Sequence, residues 1–330
     1  PKGCHLCEQV EKNENSFSMR QDYIFDNGKF KHEENNFVFD YFNTTTGYMD
    51  PKGCRHIEMR FSNVCNLRCR YCGPELSSNW FKDAVKSSFN ITPTEKIIQI
   101  RKDVDGFMEE FEPMLEHIEQ IYWAGGEPII MDEHWSIMNK LVEMGKTDIR
   151  IFYNTNFTTL NYKGQSVLDL WKNFDNISVG ASLDAEGIRG EYQRKGTIWA
   201  DVESNIQELR ERSPEVDFYV SATLSAFNAK HVVDFHDDWV KKGFIGYKDW
   251  NMNVVQDPEH YRADILPLSM KEKITEEYQT HINKITPYDD LSRANNGFKS
   301  DIKFIIDFYI WLIGKEKWKI IEQWIAYHLQ

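Results

Sequence analysis

From residue 56 onward, short apolar or β-branched runs alternate with longer amphipathic segments. This alternation is typical of βαβ units and therefore of a parallel sheet. Six strands are predicted, at residues 56–62, 118–124, 149–154, 177–183, 217–224 and 246–255. Six β/α units favour an open, partial (β/α)6 barrel over a closed barrel of eight units, and a functional site should then gather at the carboxyl ends of the strands.

Two of the segments between these strands carry helix signals. Residues 132–146 begin with acidic residues and have Gly145 near their end, as helix termini prefer. Asp201 is expected to cap the helix that follows it, with Asn205 on the outer face of that helix.

The two ends of the chain differ from the barrel. Residues 1–55 contain a Cys-x-x-Cys pair and an Asp-Asn-Gly turn signal, which indicates a small N-terminal accessory region that contains cysteine. The partial barrel is predicted over residues 56–255. Residues 256–330 are more polar and helical in pattern, with a last amphipathic helix from Lys299, and indicate a helical C-terminal extension.

Composition narrows the class of protein. The 330 residues are 41% hydrophobic and 14% aromatic, which is typical of a folded chain with a substantial core. The formal net charge of -13 disfavours a nucleic-acid partner, because an acidic surface repels phosphate. The most apolar run, residues 304–313, is interrupted by Asp307 and is shorter than the ~18 residues of a membrane span. Six cysteines in a chain of this size suit a reducing compartment, so a cytoplasmic protein without a membrane partner is predicted.

Half of the six cysteines lie in one short stretch, as Cys65, Cys69 and Cys72. Thiolates are soft ligands that select zinc, copper(I) or iron-sulfur clusters. A structural zinc site needs four ligands, usually two Cys-x-x-Cys pairs, whereas this loop offers three. Three thiolates on a 4Fe-4S cluster leave one iron open to a substrate or cofactor.

The same stretch, with Tyr71 before the last cysteine, resembles the Cys-x3-Cys-x-aromatic-Cys motif of the radical SAM superfamily. The resemblance implies a TIM-like partial barrel and a 4Fe-4S cluster whose open iron is chelated by S-adenosylmethionine (SAM). It further implies reductive cleavage of SAM to methionine and a 5'-deoxyadenosyl radical, which abstracts hydrogen from a substrate. A zinc knuckle or unrelated thiols is the alternative interpretation of the three cysteines.

A second motif follows the second predicted strand. Residues 123–128 read Trp-Ala-Gly-Gly-Glu-Pro and resemble the Gly-Gly-Glu-Pro motif of the same superfamily. By that resemblance Gly125, Gly126, Glu127 and Pro128 bind SAM, with Glu127 accepting a hydrogen bond from its amino group. A carboxylate beside an ammonium is a sound pairing, because charge-assisted hydrogen bonds are stronger than neutral ones.

Polar residues also follow the later strands. Asn154 ends the third strand, and Ser182 follows the fourth. By resemblance Asn154 binds the cofactor, Ser182 and Arg194 contact the SAM carboxylate or ribose, and Leu224 of the fifth strand forms an apolar wall beside the adenine. Each of these residues taken alone has an ordinary structural interpretation as a cap, a surface charge or a core side chain.

The remaining cysteines are Cys4, Cys7 and Cys54. Residues 192–199 resemble a segment of radical SAM enzymes that carry SPASM or twitch extensions, in which accessory cysteines bind auxiliary iron-sulfur clusters. The resemblance implies a twitch-like auxiliary cluster at these three cysteines, with an open iron or a fourth ligand from elsewhere. SPASM and twitch extensions usually follow the barrel, whereas these cysteines precede it. A zinc half-site or free thiols are the alternatives.

The likeness to SPASM and twitch enzymes favours a peptide or protein side chain as the substrate, and a flavodoxin- or ferredoxin-type protein as the electron donor. The same chemistry on a small metabolite, a sugar or a nucleoside, is the rival interpretation. A non-catalytic iron-sulfur scaffold or electron-transfer protein is a third possibility, although such a protein has no use for groups that contact SAM.

Two further predictions concern the substrate side of the site. Asp184 is a weak candidate for a catalytic residue, and the alternative is a cap on the following helix. The aromatic residues near the strand ends would either exclude water from the site or simply pack in the core; they are Tyr122, Trp123, Tyr153 and Phe157.

Overall fold

The structure is a computed structural model that describes residues 53–87 and 94–285, together with the single positions 43, 45, 46 and 50. Contacts divide the chain into two units, Pro1–Gly53 with Gly314–Gln330 and Cys54–Ile313. The elements given below all belong to the second unit. Cys4, Cys7 and the helix predicted from Lys299 lie outside the described residues.

The centre of this unit is a six-stranded parallel sheet. In chain order, the strands of the described residues are β1 (His56–Met59), β2 (Arg68–Cys69), β3 (Gln120–Trp123), β4 (Arg150–Thr155), β5 (Asn161–Tyr162), β6 (Gln165–Ser166), β7 (Asn176–Ala181), β8 (Arg194–Lys195), β9 (Asp217–Leu224) and β10 (Trp250–Val254). The sheet has the order β1-β3-β4-β7-β9-β10, and every neighbouring pair in it is parallel. The short strands pair as β2 with β8 and β5 with β6. The prediction of a parallel α/β sheet with six strands is confirmed.

Helices fill the crossovers between the strands, and a last helix follows β10. They are α1 (Phe81–Ser87), α2 (Val104–Leu115), α3 (Asp132–Glu143), α4 (Val167–Trp171), α5 (Gly187–Gln193), α6 (Trp199–Arg212), α7 (Val232–Lys241) and α8 (Leu268–Ile285). Helix α3 starts with two acidic residues and ends shortly before Gly145, whose φ of 68° suits glycine, as predicted. None of these helices combines the length and the apolar character that a membrane crossing needs.

The prediction for helix α6 was wrong in two respects. The helix begins at Trp199, two residues before Asp201, and the Trp199 amide donates to the Glu191 carboxylate at 2.8 Å. Asp201 therefore lies inside the first turn, where its charge complements the helix dipole. Asn205 is half-buried, and its Nδ2 donates to the Phe157 carbonyl at 3.0 Å, so it faces the protein rather than solvent.

The two faces of the sheet differ in what covers them. Parallel strands in consecutive order are joined by right-handed crossovers, which place the connecting helices on one side. We call that side the outer face; it carries Trp123, Tyr153 and Val179, each at most 1% exposed within one continuous hydrophobic core. The core thus lies between the sheet and its helices.

The opposite side is the inner face. Because successive residues of a strand point to opposite faces, Tyr122 and Asn154 lie on this side, next to Trp123 and Tyr153 in the chain. The register places Asn154 beside Gly180, and Gly180 beside Tyr219. The inner face is therefore polar where the outer face is apolar.

This division separates the four aromatic residues considered from the sequence. Trp123, Tyr153 and Phe157 are at most 1% exposed and belong to the hydrophobic core, as the alternative interpretation predicted. Tyr122 is half-buried on the inner face.

Candidate active site

The loop that carries Cys65, Cys69 and Cys72 follows β1 and is fixed by hydrogen bonds. The Cys72 amide donates to the Cys69 carbonyl at 3.1 Å, and the Trp80 indole donates to the same carbonyl at 2.9 Å. The hydroxyl of Ser77 donates to the carbonyl of Leu67, within the loop, at 2.6 Å. All three cysteines are free thiols.

N–H groups approach two of the sulfur atoms. The Leu67 amide donates to Cys65 Sγ at 3.4 Å, and Asn156 Nδ2 approaches the same sulfur at 3.9 Å. Arg194 Nη1 approaches Cys69 Sγ at 3.8 Å. Donors of this kind stabilise thiolates, and hydrogen bonds to sulfur are among the features that tune iron-sulfur clusters.

The ligand-free thiols differ in acidity. Burial, with the nearby Glu127, raises the pKa of Cys65 to about 12. A hydrogen bond from Cys72 to Cys69 raises the pKa of Cys72, with burial adding to it, and the same bond lowers the pKa of Cys69. Cys65 and Cys72 are therefore protonated without a metal, and binding of a cluster would release protons.

The three thiols do not converge on one point. Within the described residues, no group of three or more His, Cys, Asp or Glu side chains is placed to hold a single metal ion. A 4Fe-4S cluster takes one thiolate on each of three different irons, so its ligands lie around a larger body than one ion.

The Gly-Gly segment after β3 packs tightly against the cysteine loop. A Cβ atom on Gly126 would lie 2.1 Å from the Val64 carbonyl oxygen, and Gly125 has a φ of 94°. The Gly126 amide donates to the Ser62 carbonyl at 3.1 Å, and the Glu127 amide donates to the Val64 carbonyl at 2.7 Å. Only glycine permits this contact, which makes the two motifs one continuous surface.

Glu127 is 1% exposed and ties this surface to the end of β4. Its carboxylate accepts from the Thr155 hydroxyl at 2.8 Å, the Asn156 amide at 2.7 Å and the Ile129 amide at 3.3 Å. Burial raises the pKa of Glu127 to about 7, and these three donors oppose the rise. Pro128 is buried and begins the short 3-10 helix Pro128–Ile130.

Asp184 is the centre of a second buried network, at the end of β7. Its carboxylate accepts both Nε and Nη2 of Arg194, at 2.7 and 3.0 Å, and the amide of Thr223 at 2.8 Å. The Tyr71 hydroxyl donates to the same carboxylate. The interpretation of Asp184 as a helix cap was wrong, because α5 begins only after Glu186.

Arg194 joins this network to the cysteine loop. Strand β8 pairs with β2, so Arg194 lies directly opposite Cys69. Burial alone would lower the pKa of Arg194, but the charge of Asp184 raises it above its ordinary value. The guanidinium fork that was predicted to contact the SAM carboxylate or ribose is thus occupied by Asp184, and the remaining nitrogen faces Cys69.

The other predicted site residues are less closely gathered. Ser182 is half-buried, and its amide donates to the Thr155 carbonyl at 2.7 Å. Asn154 Nδ2 donates to the Tyr122 hydroxyl at 2.6 Å on the inner face. Leu224 is fully buried in the hydrophobic core, and its contact with adenine stays a prediction.

Of the three predicted accessory ligands, Cys54 is the one that lies within the described residues. Cys54 is half-buried, and its Sγ lies 3.9 Å from the carbonyl oxygen of His56. Burial raises the pKa of Cys54. An auxiliary cluster at this cysteine stays a prediction.

Sequence reasoning missed two contributions to the site. Asn156 donates to Cys65 through its side chain and to Glu127 through its backbone, although only Asn154 was assigned to the cofactor. Asp184 holds Arg194 and Tyr71 in place. A signal existed for Asp184, since an acid just after a strand and an arginine ten residues later can form a buried pair.

Comparisons with known proteins show which family and which structures the chain resembles. The family model of the radical SAM superfamily matches residues 59–227, just over half of the chain. The structure of native anSMEcpe with bound AdoMet, which is SAM, is similar with a TM-score of 0.50 and 18% sequence identity over 72% of this chain. The match spans 62% of the anSMEcpe chain. The structure of Streptococcus suis SuiB bound to the precursor peptide SuiA has a TM-score of 0.48 and 11% identity, over 86% of this chain and 58% of SuiB.

No curated protein matches the chain. The matched residues 59–227 run from the end of β1, through the cysteine loop and the Gly-Gly segment, to just beyond β9. They therefore contain every predicted site residue of the barrel, from Cys65 to Leu224. The chain belongs to the radical SAM superfamily.

Proposed function

We propose that this chain is an enzyme that cleaves SAM reductively at a 4Fe-4S cluster bound by Cys65, Cys69 and Cys72, and that it abstracts hydrogen from a peptide or protein side chain. Membership of the superfamily implies the cluster and SAM and supports an enzyme. When bound, these two groups supply a 5'-deoxyadenosyl radical, and the protein supplies binding, orientation and shielding.

The proposal is carried by one observation. N–H groups of the loop itself and of two other segments point at the sulfur atoms of this loop: the Leu67 amide and Asn156 Nδ2 at Cys65, and Arg194 Nη1 at Cys69. Such donors suit thiolates that remain charged as ligands of iron. The residues of the loop therefore fit a cluster by their chemistry.

The chain's own residues then have distinct roles. Glu127 fixes the Gly-Gly segment to the end of β4, so that Gly125 and Gly126 keep a backbone surface beside the cysteine loop. Asp184 fixes Arg194, which keeps a cation beside Cys69. We assign these five residues to the positioning of the cluster and SAM.

Direct contacts with SAM are also part of the proposal. Gly125, Gly126 and Glu127 hold its amino group, and Ser182 holds its carboxylate or ribose. Asn154, Pro128, Tyr71 and Leu224 complete the cofactor site as the family resemblance implies.

A peptide or protein side chain is proposed as the substrate on the resemblance of residues 192–199 to SPASM and twitch enzymes. A small metabolite is the outcome that product analysis would reveal if this is wrong. A reduced flavodoxin- or ferredoxin-type protein is proposed to deliver the electron.

An auxiliary cluster at Cys4, Cys7 and Cys54 is proposed for residues 1–55, ahead of the barrel at 56–255 and the helical extension at 256–330. Iron analysis of the anaerobically purified full chain tests it, with about eight irons per chain expected for two 4Fe-4S clusters. About four irons per chain would contradict the auxiliary cluster and leave the barrel cluster intact.

The main experiment measures 5'-deoxyadenosine. The full chain is reconstituted with iron and sulfide without oxygen, reduced with dithionite and given SAM, and the product is quantified by chromatography. Formation by the wild type and loss in Cys69→Ala are expected. If the wild type carries its cluster but forms no deoxyadenosine, the enzyme proposal fails in favour of a scaffold or electron-transfer protein.

A further inference from the structure

Two tyrosines, Tyr122 and Tyr219, are neighbours on the inner face of the sheet. Cross-strand partners point to the same side of a sheet, and the register aligns Asn154, Gly180 and Tyr219 in one row across β4, β7 and β9. Tyr122 joins this row from β3, because its hydroxyl accepts from Asn154 Nδ2 at 2.6 Å. Tyr122, Asn154 and Tyr219 are each half-buried.

Gly180 makes this cluster possible. A Cβ atom at position 180 would lie 2.8 Å from Asn154 Oδ1 and 2.8 Å from the Tyr219 hydroxyl oxygen. A glycine inside a strand weakens the strand, so its presence here has a packing reason. The missing side chain leaves the space into which the amide and the phenol converge.

Both hydroxyl groups retain a proton to donate. Asn154 Nδ2 occupies a lone pair of the Tyr122 oxygen and leaves the Tyr122 proton available. The Tyr219 hydroxyl has no hydrogen-bond partner among residues 53–87 and 94–285. On the outer face, by contrast, the Tyr153 hydroxyl pairs with His134 Nε2 at 2.9 Å.

The charges around the two tyrosines indicate which kind of hydrogen-bond acceptor they would bind. Burial raises the pKa of Tyr122, and burial with the neighbouring Tyr122 raises the pKa of Tyr219 to about 12, so both groups are neutral donors at pH 7. Arg60, the cation that acts on Tyr122, is paired with the carboxylate of Glu58. A carboxylate bound here would have to compete with Glu58 for that positive charge, which favours a neutral oxygen as the acceptor.

We propose that Tyr122 and Tyr219 form a two-donor site for a neutral carbonyl oxygen of the substrate, such as the amide of a peptide. Asn154 orients the Tyr122 hydroxyl, and Gly180 provides the room. The identification of this ligand as the substrate rests on the proposed function, whereas the binding site itself is testable without turnover. The site would hold a peptide group on the inner face while its reacting carbon lies at the strand ends.

The test uses the reconstituted full chain labelled with 13C at the tyrosine Cζ atom, with N-methylacetamide as the neutral amide probe and acetate as the carboxylate probe. Two resonances, assigned by their loss in Tyr122→Phe and Tyr219→Phe, are expected to shift saturably with N-methylacetamide and not with acetate. Tyr153→Phe, a matched change on the outer face, should leave both shifts in place. Absence of a saturable shift, or a comparable shift with acetate, would overturn the site.

A second variant reads the space above Gly180. Gly180→Ala should weaken the affinity for N-methylacetamide at least about tenfold, because its methyl group would collide with Asn154 Oδ1 and the Tyr219 hydroxyl and displace them. Unchanged affinity in a folded Gly180→Ala protein would contradict the proposal, and Tyr219→Phe provides the same test if that variant does not fold. Deoxyadenosine formation by the wild-type sample is measured separately. Absence of deoxyadenosine would contradict the proposed function, whereas absence of the shifts would contradict the tyrosine site.

Discussion

The outer and inner faces of the same sheet differ in how their polar side chains are hydrogen-bonded. On the outer face, His134 Nε2 and the Tyr153 hydroxyl are fully buried and pair with each other at 2.9 Å. On the inner face, Tyr122 and Tyr219 keep protons that no described residue accepts. Neighbouring residues of one strand therefore have different roles: one stabilises the core, and the next remains available to a ligand.

The strand ends differ from the outer face in charge as well. Burial lowers the pKa of His134 to about 3, so the outer face holds a neutral imidazole. At the strand ends Asp184, with a fully buried side chain, is paired with Arg194, whose side chain is 11% exposed. The core avoids ions, whereas the candidate site contains them in compensated pairs.

The largest expected effect comes from breaking that pair. Asp184→Asn removes the negative partner of a buried arginine and should lower the free energy of unfolding by about 3–5 kcal/mol. Urea unfolding of the ligand-free protein measures the change.

Asp169→Asn is the matched control, because Asp169 is 61% exposed and pairs with Arg212 at the surface. Its expected effect is much smaller, because solvent screens an exposed ion pair. Similar losses in both variants would show that the Asp184 pair is no more important than a surface pair.

Acid should destabilise the outer face. Burial lowers the pKa of His134 and of His236 to about 3 in the fold, from about 6.5 in the unfolded chain. The unfolded state then binds more protons between these values, so stability is present above pH 6.5 and is lost as the pH falls. At pH 5 each residue should remove about 2 kcal/mol.

Glu127 has the opposite sign, because its pKa is raised to about 7 and its protonated form is favoured in the fold. The informative quantity is therefore the difference between wild type and His134→Gln in urea unfolding at pH 7.5 and pH 5. The pH-dependent loss should be smaller in the variant. Equal losses in the two proteins would contradict the assignment of His134 as a buried neutral group.

The sequence was sufficient for the strands and for the positions of the motifs at their ends, because strand periodicity and the glycine and cysteine signals are local. It was not sufficient to assign side chains to the outer or the inner face of the sheet. Tyr122 and Trp123 are adjacent and similar in character, and only the register separates them. The contact of Asp184 with Tyr71 was likewise hidden, since Tyr71 is 113 positions away in the chain.

The contact between the Gly-Gly segment and the cysteine loop can be tested with two glycines. Gly126→Ala would place a methyl group against the Val64 carbonyl and should cost about 2 kcal/mol of stability. It should also weaken SAM binding to the reconstituted protein about tenfold.

Gly145→Ala is the matched control, because Gly145 also resists substitution, through its φ of 68°, but has open space around it. It should lose about 1 kcal/mol of stability and keep its affinity for SAM. Calorimetry measures the SAM affinity of both variants. Equal affinities would show that the Gly-Gly segment does not contribute to SAM binding.

The smallest expected difference compares tyrosines on the two faces. Tyr153→Phe leaves His134 without its partner in the core and should lower the free energy of unfolding by about 1–2 kcal/mol. Tyr219→Phe removes a hydroxyl that has no partner among the described residues, so it should change stability by less than about 0.5 kcal/mol. Thermal or urea unfolding of both variants decides the matter, and a larger loss for Tyr219→Phe would reverse the proposed division between the faces.

The central claim is that the cysteine loop leaves one iron of its cluster open to SAM. Low-temperature electron paramagnetic resonance of the reconstituted, dithionite-reduced full chain, recorded with and without SAM, tests it most directly. The account predicts a 4Fe-4S signal whose g-values change when SAM is added and that loses this SAM-sensitive component in Cys69→Ala. A 4Fe-4S signal that SAM leaves unchanged in the wild type would contradict it.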